Sequence, residues 1–322
     1  MGDARESRIG PWLVALGAAL WGTESAWRIP LDKLLVNADV LVFWEHVILV
    51  ALALPLVIPR LHELKNVSRR ALLWLVFSGI AGSAVGAVLF TLALEHGNPT
   101  VINVVLNIQP VLSTTAAVLL FGDKLAKNFP PWAALAVIAG MVLVGLGPHF
   151  TFHLDAGIGY ALACALCWGL STVAGRAVMV EMSLPLAAGL RVIIGLVCMT
   201  IIVGVRGLLT ADALWPAAAH AHAAKTATWL VLLATLSGGI PLLIYFKGLE
   251  LTRASTAGYF EMMQTLAAVV ITWGFFGAAL AWWQVIAGLV LMFAVAMVQR
   301  AQEATALPPP EPERAIPEAR VV

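Results

Sequence analysis

The sequence predicts an all-α polytopic membrane protein: ten transmembrane helices, built as two inverted five-helix repeats. Three observations predict it. The chain has 322 residues, of which 61% are hydrophobic and only 11% charged, with a mean hydropathy of +0.92; a soluble domain carries roughly 25% charged residues. Apolar runs of about 18–20 residues, long enough to cross a bilayer, recur along almost the whole chain. The second half also repeats the first. A shift of 155 carries Trp74-Leu75-Val76 onto Trp229-Leu230-Val231, Leu94-Glu95 onto Leu249-Glu250, Gln109 onto Gln264, and Phe121-Gly122 onto Phe276-Gly277. A unit with an odd number of spans, used twice, crosses the membrane in opposite senses.

The spans read as 11–30, 40–58, 71–94, 99–121 and 130–147, then 156–178, 184–205, 226–247, 255–277 and 281–299. They make a first repeat over 11–147 and a second over 156–300. Residues 1–10 and 301–322 are expected to be cytoplasmic, the latter a Pro- and Glu-rich disordered tail. The N-terminal apolar stretch lacks a small-residue cleavage site and reads as an uncleaved span. Prolines punctuate span ends at Pro30, Pro59, Pro99, Pro130 and Pro148. Pro110 and Pro241 lie inside spans, where each removes a backbone hydrogen bond and opens its helix. Gly238 and Gly239 precede Pro241, so span 8 is the leading hinge candidate; tolerance of Pro and Gly in membrane helices is the competing reading.

Lys and Arg set the orientation. One set of loops carries Arg60, Lys65, Arg69, Arg70, Lys124, Lys127, Lys247 and Arg253, while the other has only Arg28, Lys33, Arg206 and Lys225. The positive-inside rule places both termini in the cytoplasm, with the chain in the plasma (inner) membrane. Net charge is +1, which points to no nucleic-acid partner.

No metal or other cofactor is expected. Cys164 and Cys167 have ligand spacing without a second pair and read as small buried residues, as does Cys198. His220 and His222, and the set His149, His153 and Asp155, read as loop residues rather than ligands.

Ionisable groups within spans are costly, at least ~2.5–3.5 kcal/mol at the bilayer centre, and are therefore functional candidates. Here they are Glu24, Arg28, Glu45, His46, Arg191 and Glu261. Glu24 and Arg28 are four apart in the favoured acid-first order, so mutual neutralisation competes with a gating or coupling role. Arg191 and Glu261 read either as a gate or as a static pair joining spans 7 and 9. His46 has a titration range suited to proton coupling, against a neutral, hydrogen-bonded histidine. The expected gate or coupling set is thus Arg28, Glu45, His46, Arg191 and Glu261.

Helical spacing places Asn103, Asn107 and Pro110 on one face of span 4, with Gln109 adjacent. Gly258, Glu261 and Thr265 form a stripe on span 9, bordered by Gln264; Trp168, Ser171 and Thr172 do so on span 6, and Gly17, Trp21 and Glu24 on span 1. These stripes imply a central polar-aromatic cavity walled by Trp21 and Trp168; close helix packing through small and polar residues is the alternative. Gly79, Gly82 and Gly86 on span 3 read as packing glycines. Spans 5 and 10 lack charges and carry Ala136, Ala139, Gly140, Ala287 and Gly288, so they read as lipid-facing or subunit-contact helices, leaving a homodimer open.

The order of these features resembles the drug/metabolite transporter superfamily, specifically its EamA-type members. Ala18-Ala19-Leu20-Trp21-Gly22 and Ala165-Leu166-Cys167-Trp168-Gly169 match the small-residue/Trp-Gly motif at the first helix of each unit. Leu92-Ala93-Leu94-Glu95-His96-Gly97-Asn98-Pro99 matches the turn from the third helix into the fourth, and Pro110 the mid-helix proline. Phe121-Gly122-Asp123 keeps the family's acidic turn, which has decayed to Phe276-Gly277-Ala278 in the second unit; Arg191 keeps its arginine, which is His46 in the first. The resemblance implies a secondary transporter that moves a small solute through the bilayer by alternating access, with amino acids or related compounds as cargo and export as the direction. A non-transporting sensor or assembly subunit is the alternative. A polytopic membrane enzyme is disfavoured, because no nucleophile-base or metal set clusters at one depth.

Overall fold

The computed structural model describes residues 3–145, 155–251 and 260–303, and every regular element among them is helical. The first half comprises α1 (Asp3–Gly22), α2 (Glu24–Leu35), α3 (Ala38–Val57), α4 (Arg69–Ser78), α5 (Gly86–His96), α6 (Pro99–Val105), α7 (Gln109–Phe121) and α8 (Phe129–Gly145). The second comprises α9 (Ala156–Met179), α10 (Leu184–Val205), the short α11 (Ala211–Leu214) and α12 (Ala217–Ala221), then α13 (Ala223–Ala234), α14 (Ile240–Glu250), α15 (Met263–Phe276) and α16 (Trp282–Glu303).

Several of these are pieces of one rod. A π-helical segment, Gly79–Val85, joins α4 to α5, and another, Thr235–Gly239, joins α13 to α14. A 3-10 turn, Leu106–Ile108, joins α6 to α7. Among the described residues, seven rods are long and apolar enough to cross a membrane, with the shorter apolar helices Phe129–Gly145 and Met263–Phe276 beside them. Exposed Leu73, Leu119, Val205 and Phe275 give the rods an apolar exterior, as a bilayer requires.

The first predicted span is corrected by the structure. It is not one helix over 11–30: it breaks at Thr23 and then continues through Pro30 to Leu35. The break has a local cause. The Thr23 hydroxyl donates to the Leu20 carbonyl at 2.7 Å, and the Thr23 N–H tightens to the same carbonyl at 3.1 Å. The Thr23 hydroxyl also meets Ser237 Oγ at 2.8 Å, which ties the break to the π segment between α13 and α14.

Packing pairs α8 with α16, seats α1 between α14 and α15, lays α3 along α10, and sets α9 against α5 and α7. Ala136, Ala139 and Ala287 are buried, and Gly288 lies against Val104. Ala136, Ala139, Ala287 and Gly288 are therefore packed within the protomer, while Val137, Ile138, Met141, Ile286, Leu289 and Phe293 of the same helices are exposed. The 155-residue repeat reaches backbone detail: Gly122 and Gly277 both adopt left-handed φ values, 70° and 66°, after α7 and α15.

Candidate functional site

The described rods leave a polar cavity of about 140 Å³ beside the points where their regular geometry fails. Span 4 supplies one wall. Pro110 has no N–H for the carbonyl four residues earlier, and the chain tightens into the 3-10 turn before it. Asn107 Nδ2 takes up loosened acceptors, donating to Val104 O at 2.9 Å and Asn103 O at 3.3 Å. Asn107 Oδ1 in turn accepts from the Thr265 hydroxyl at 2.8 Å, joining span 4 to α15. Asn103 Nδ2 donates to Pro99 O at 2.8 Å and Ser25 Oγ at 3.0 Å.

The aromatic walls are fixed by the same kind of exchange. Trp168 Nε1 donates to Gly82 O at 3.0 Å, a carbonyl in the first π segment, and its ring lies 5.5 Å from that of Phe90. Trp21 packs on Tyr245 with ring centroids 4.9 Å apart.

At one end of the cavity stands an ion cluster. Arg28 is 1% exposed and all three of its guanidinium nitrogens are engaged. Nε donates to Glu24 Oε1 at 2.9 Å, Nη1 to the Thr91 hydroxyl at 2.8 Å, and Nη2 to both Glu45 oxygens at 2.9 and 2.8 Å. Glu24 uses only Oε1, and its side chain lines the cavity. Glu261 lines the cavity too, accepting from the Tyr245 hydroxyl and, at 3.4 Å, from Gln299 Nε2.

A second cavity of about 410 Å³ continues the first, one helical turn further along three helices. Trp168 gives way to Thr172, Pro110 to Ser113, and Gln299 to Gln302. Gln109 Nε2 reaches Thr172 Oγ1 at 3.4 Å between the two. Asp123 and Arg176, paired at 2.7 Å, line the far end.

The EamA-like transporter family matches this chain twice, over residues 8–146 and 155–300. The chain belongs to the EamA-like transporter family. It is thus an integral membrane transporter of a small-molecule solute rather than an enzyme. It is 24% identical to the riboflavin transporter ImpX of Fusobacterium nucleatum subsp. nucleatum over 312 residues, covering 90% of this chain and 97% of that protein. A crystal structure with 17% identity covers 90% of this chain and 95% of its own at a TM-score of 0.55, a likeness of fold alone.

Within this EamA-like fold, the residues read from the sequence fall into three groups. Trp21, Glu24, Asn103, Asn107, Gln109, Pro110, Trp168, Glu261 and Gln264 line the first cavity. Thr172 lines the second, and Gly258 lies outside the described residues, as do His149, His153 and the tail from 304 onward. Ser171 is corrected: it is buried and bonded to Ser78 Oγ at 2.8 Å, packing α9 on α4.

Arg191 and Glu261 form no pair. Arg191 Nη2 ends beside Gly82, whereas Glu261 is held by Tyr245 and Gln299. His46 is buried, with Nδ1 on Val42 O and Nε2 on Ser83 Oγ, each at 2.8 Å, and lies against Gly195 on α10; neither it nor Arg191 lines the first or the second cavity. Asp155 caps α9 through the Ile158 N–H. Among the described residues no group of three His, Cys, Asp or Glu side chains could hold a metal.

Sequence reasoning missed Phe90, Met262, Ala268 and Gln299 as lining residues. Gln299 carried a signal, being an amide within an otherwise apolar face of α16 beside its basic end.

Proposed function

We propose that the chain is a secondary transporter working by alternating access, its ten spans folded as two inverted halves around the first cavity. The observation that carries this reading is the cavity's asymmetry. Near one end Arg28 is held by Glu24, Thr91 and Glu45, while at the other the 3.4 Å contact of Gln109 with Thr172 joins a residue lining this cavity to one lining a larger second cavity. Two unequal closures around one site are what an alternating cycle needs.

In this reading Glu24, Arg28 and Glu45 form one gate, and the Gln109–Thr172 contact is the thin partition at the other. The helix irregularities at Pro110 and at Gly238, Gly239 and Pro241 act as hinges. The doubled family match and the paired π segments support the inverted halves. Basic Lys124 and Lys127 flank the second cavity's end of the chain, so the positive-inside rule makes that end, and both termini, cytoplasmic in the inner membrane. The cargo is a small metabolite with an aromatic or apolar part, to be drawn first from riboflavin, named for the relative, and from amino acids and their derivatives. The direction is export.

Solute counterflow in proteoliposomes, run against riboflavin and an amino-acid and metabolite panel, tests this. Saturable exchange of at least one solute is expected. Absence of movement for every solute would turn the reading to a non-transporting sensor or assembly subunit.

A further inference from the structure

The first cavity holds several oxygens that make no hydrogen bond within the protein. Glu24 Oε2 takes no hydrogen bond, since Arg28 uses only Oε1. Asn103, which lines the cavity, spends its nitrogen on Pro99 O and Ser25 and keeps an uncommitted Oδ1. Gln109 spends its nitrogen on Thr172 and keeps Oε1. Gln299 Oε1 is buried without a partner. Several donors are engaged: the Thr265 hydroxyl on Asn107, the Trp168 N–H on Gly82 O and, on the nearby Tyr245, the hydroxyl on Glu261. Among the described lining residues the Gln264 amide, the Trp21 N–H and the second N–H of Gln109 and of Gln299 remain as uncommitted donors, all of them neutral.

Charge points the same way. Two carboxylates, Glu24 and Glu261, line the cavity, while no Lys or Arg among the described residues does. Arg28 is buried, is not in the lining, and each of its nitrogens is already hydrogen-bonded within the protein.

We propose that the solute taken by this cavity is an aromatic or amphipathic compound that carries hydrogen-bond donors or a positive charge, such as an amine or a polyol, and no free carboxylate or phosphate. The inference rests on the transport reading of the same cavity. A buried acceptor is satisfied only by a donor, and an anion would meet the Glu24 and Glu261 carboxylates with no cation in the lining to offset them. Trp21, Phe90 and Trp168 supply ring faces for the apolar part and, for a cation, a further attraction. Amino acids meet this rule only in part: their ammonium group finds acceptors, while their carboxylate finds no cation.

Three solutes with one ring system separate the possibilities: tryptamine, a cation; tryptophol, a neutral donor; and indole-3-acetate, an anion. Binding to the purified full chain in detergent, read by titration calorimetry, should favour tryptamine over indole-3-acetate by at least about tenfold, with tryptophol between them. Glu24→Gln and Glu261→Gln should each shrink that preference, with thermal unfolding confirming that the variants fold. Equal affinities, tighter binding of indole-3-acetate, or no binding of any of the three overturns the assignment. An unchanged preference in both variants also does so. Counterflow of the same solutes is scored separately. A reversed preference with intact counterflow removes only this substrate class, whereas the expected preference without any counterflow removes the transport reading.

Discussion

Arg28 Nη2 lies 2.9 and 2.8 Å from the two oxygens of Glu45, although the residues are 17 apart in sequence and on different helices. Both are buried. Glu45 is therefore expected to act as the structural counter-ion, and Glu24, bound through one oxygen and reaching the cavity, as the exchangeable one. Removing one partner of a buried pair leaves a charge uncompensated. Glu45→Ala should cost about 3 kcal/mol, the low end of the range for buried pairs, because Glu24 still holds Arg28. Thermal or denaturant unfolding in detergent reads this. Glu24→Gln should cost clearly less stability while altering solute binding more; the reverse ranking would exchange the two roles.

The cavity wall between α1 and α15 depends on a glycine. A Cβ at Gly22 would stand 2.2 Å from the Gln264 carbonyl oxygen and 2.8 Å from Ala267 Cβ. Backbone cannot swing aside as a side chain can, so Gly22→Ala must push α15 away and move Gln264 with it. A loss of about 1–3 kcal/mol is expected, with weakened solute binding. Gly140, within α8, is the control. Its added methyl would meet nothing within 4 Å, so Gly140→Ala should leave stability unchanged or raise it by about 0.5–1 kcal/mol through helix propensity.

Gly239 separates hinge motion from packing. It closes the π segment before Pro241, and its nearest neighbour to an added Cβ is the Ala234 carbonyl at 3.9 Å, an ordinary contact. Gly239→Ala therefore stiffens the chain without a clash. Stability should hold or rise slightly, by about 0.5 kcal/mol, while the turnover rate in counterflow falls with little change in solute affinity. A variant with unchanged turnover would remove the hinge role from this segment.

The polar face of span 4 and the two tryptophan walls were legible in the sequence because ionisable and amide groups are rare in apolar runs and helical spacing tells which of them share a face. The 155-residue repeat was legible down to Gly122 and Gly277. What was not legible is side chain–backbone competition. The break at Thr23 comes from one hydroxyl reaching back to Leu20, and a threonine in an apolar run gives no warning of it. The first π segment, Gly79–Val85, contains no proline to announce it. Arg191 and Glu261 looked like partners because both are rare charges in neighbouring spans, yet composition carries no information on which way a side chain leaves its helix. Ser171 shared its spacing with the cavity residues but turned onto Ser78. Long-range caps were equally hidden: Glu63 bonds the backbone N–H and hydroxyl of Ser183 at the start of α10, and Glu181 does the same for Ser68 at the start of α4.

That last exchange predicts an acid response that Glu181 alone can be tested for. Glu181 lies between α9 and α10, accepting from the Ser68 N–H at 2.6 Å and the Ser68 hydroxyl at 2.8 Å. These bonds favour the carboxylate and hold its pKa below the ordinary glutamate value. A pKa depressed on folding stabilises the native state above the unfolded-state value, and the contribution disappears as pH falls through the folded one. Stability should therefore drop as pH is lowered from about 5 to below 4, around the ordinary glutamate value. Glu181→Gln should be less stable than the parent at pH 7 and show a shallower decline over that interval. Melting temperature measured across the pH series decides it: parallel curves for parent and variant would mean that Glu181 contributes nothing to the acid response, and that the cap on α4 rests on the Ser68 side chain bonding to the Ala71 N–H alone.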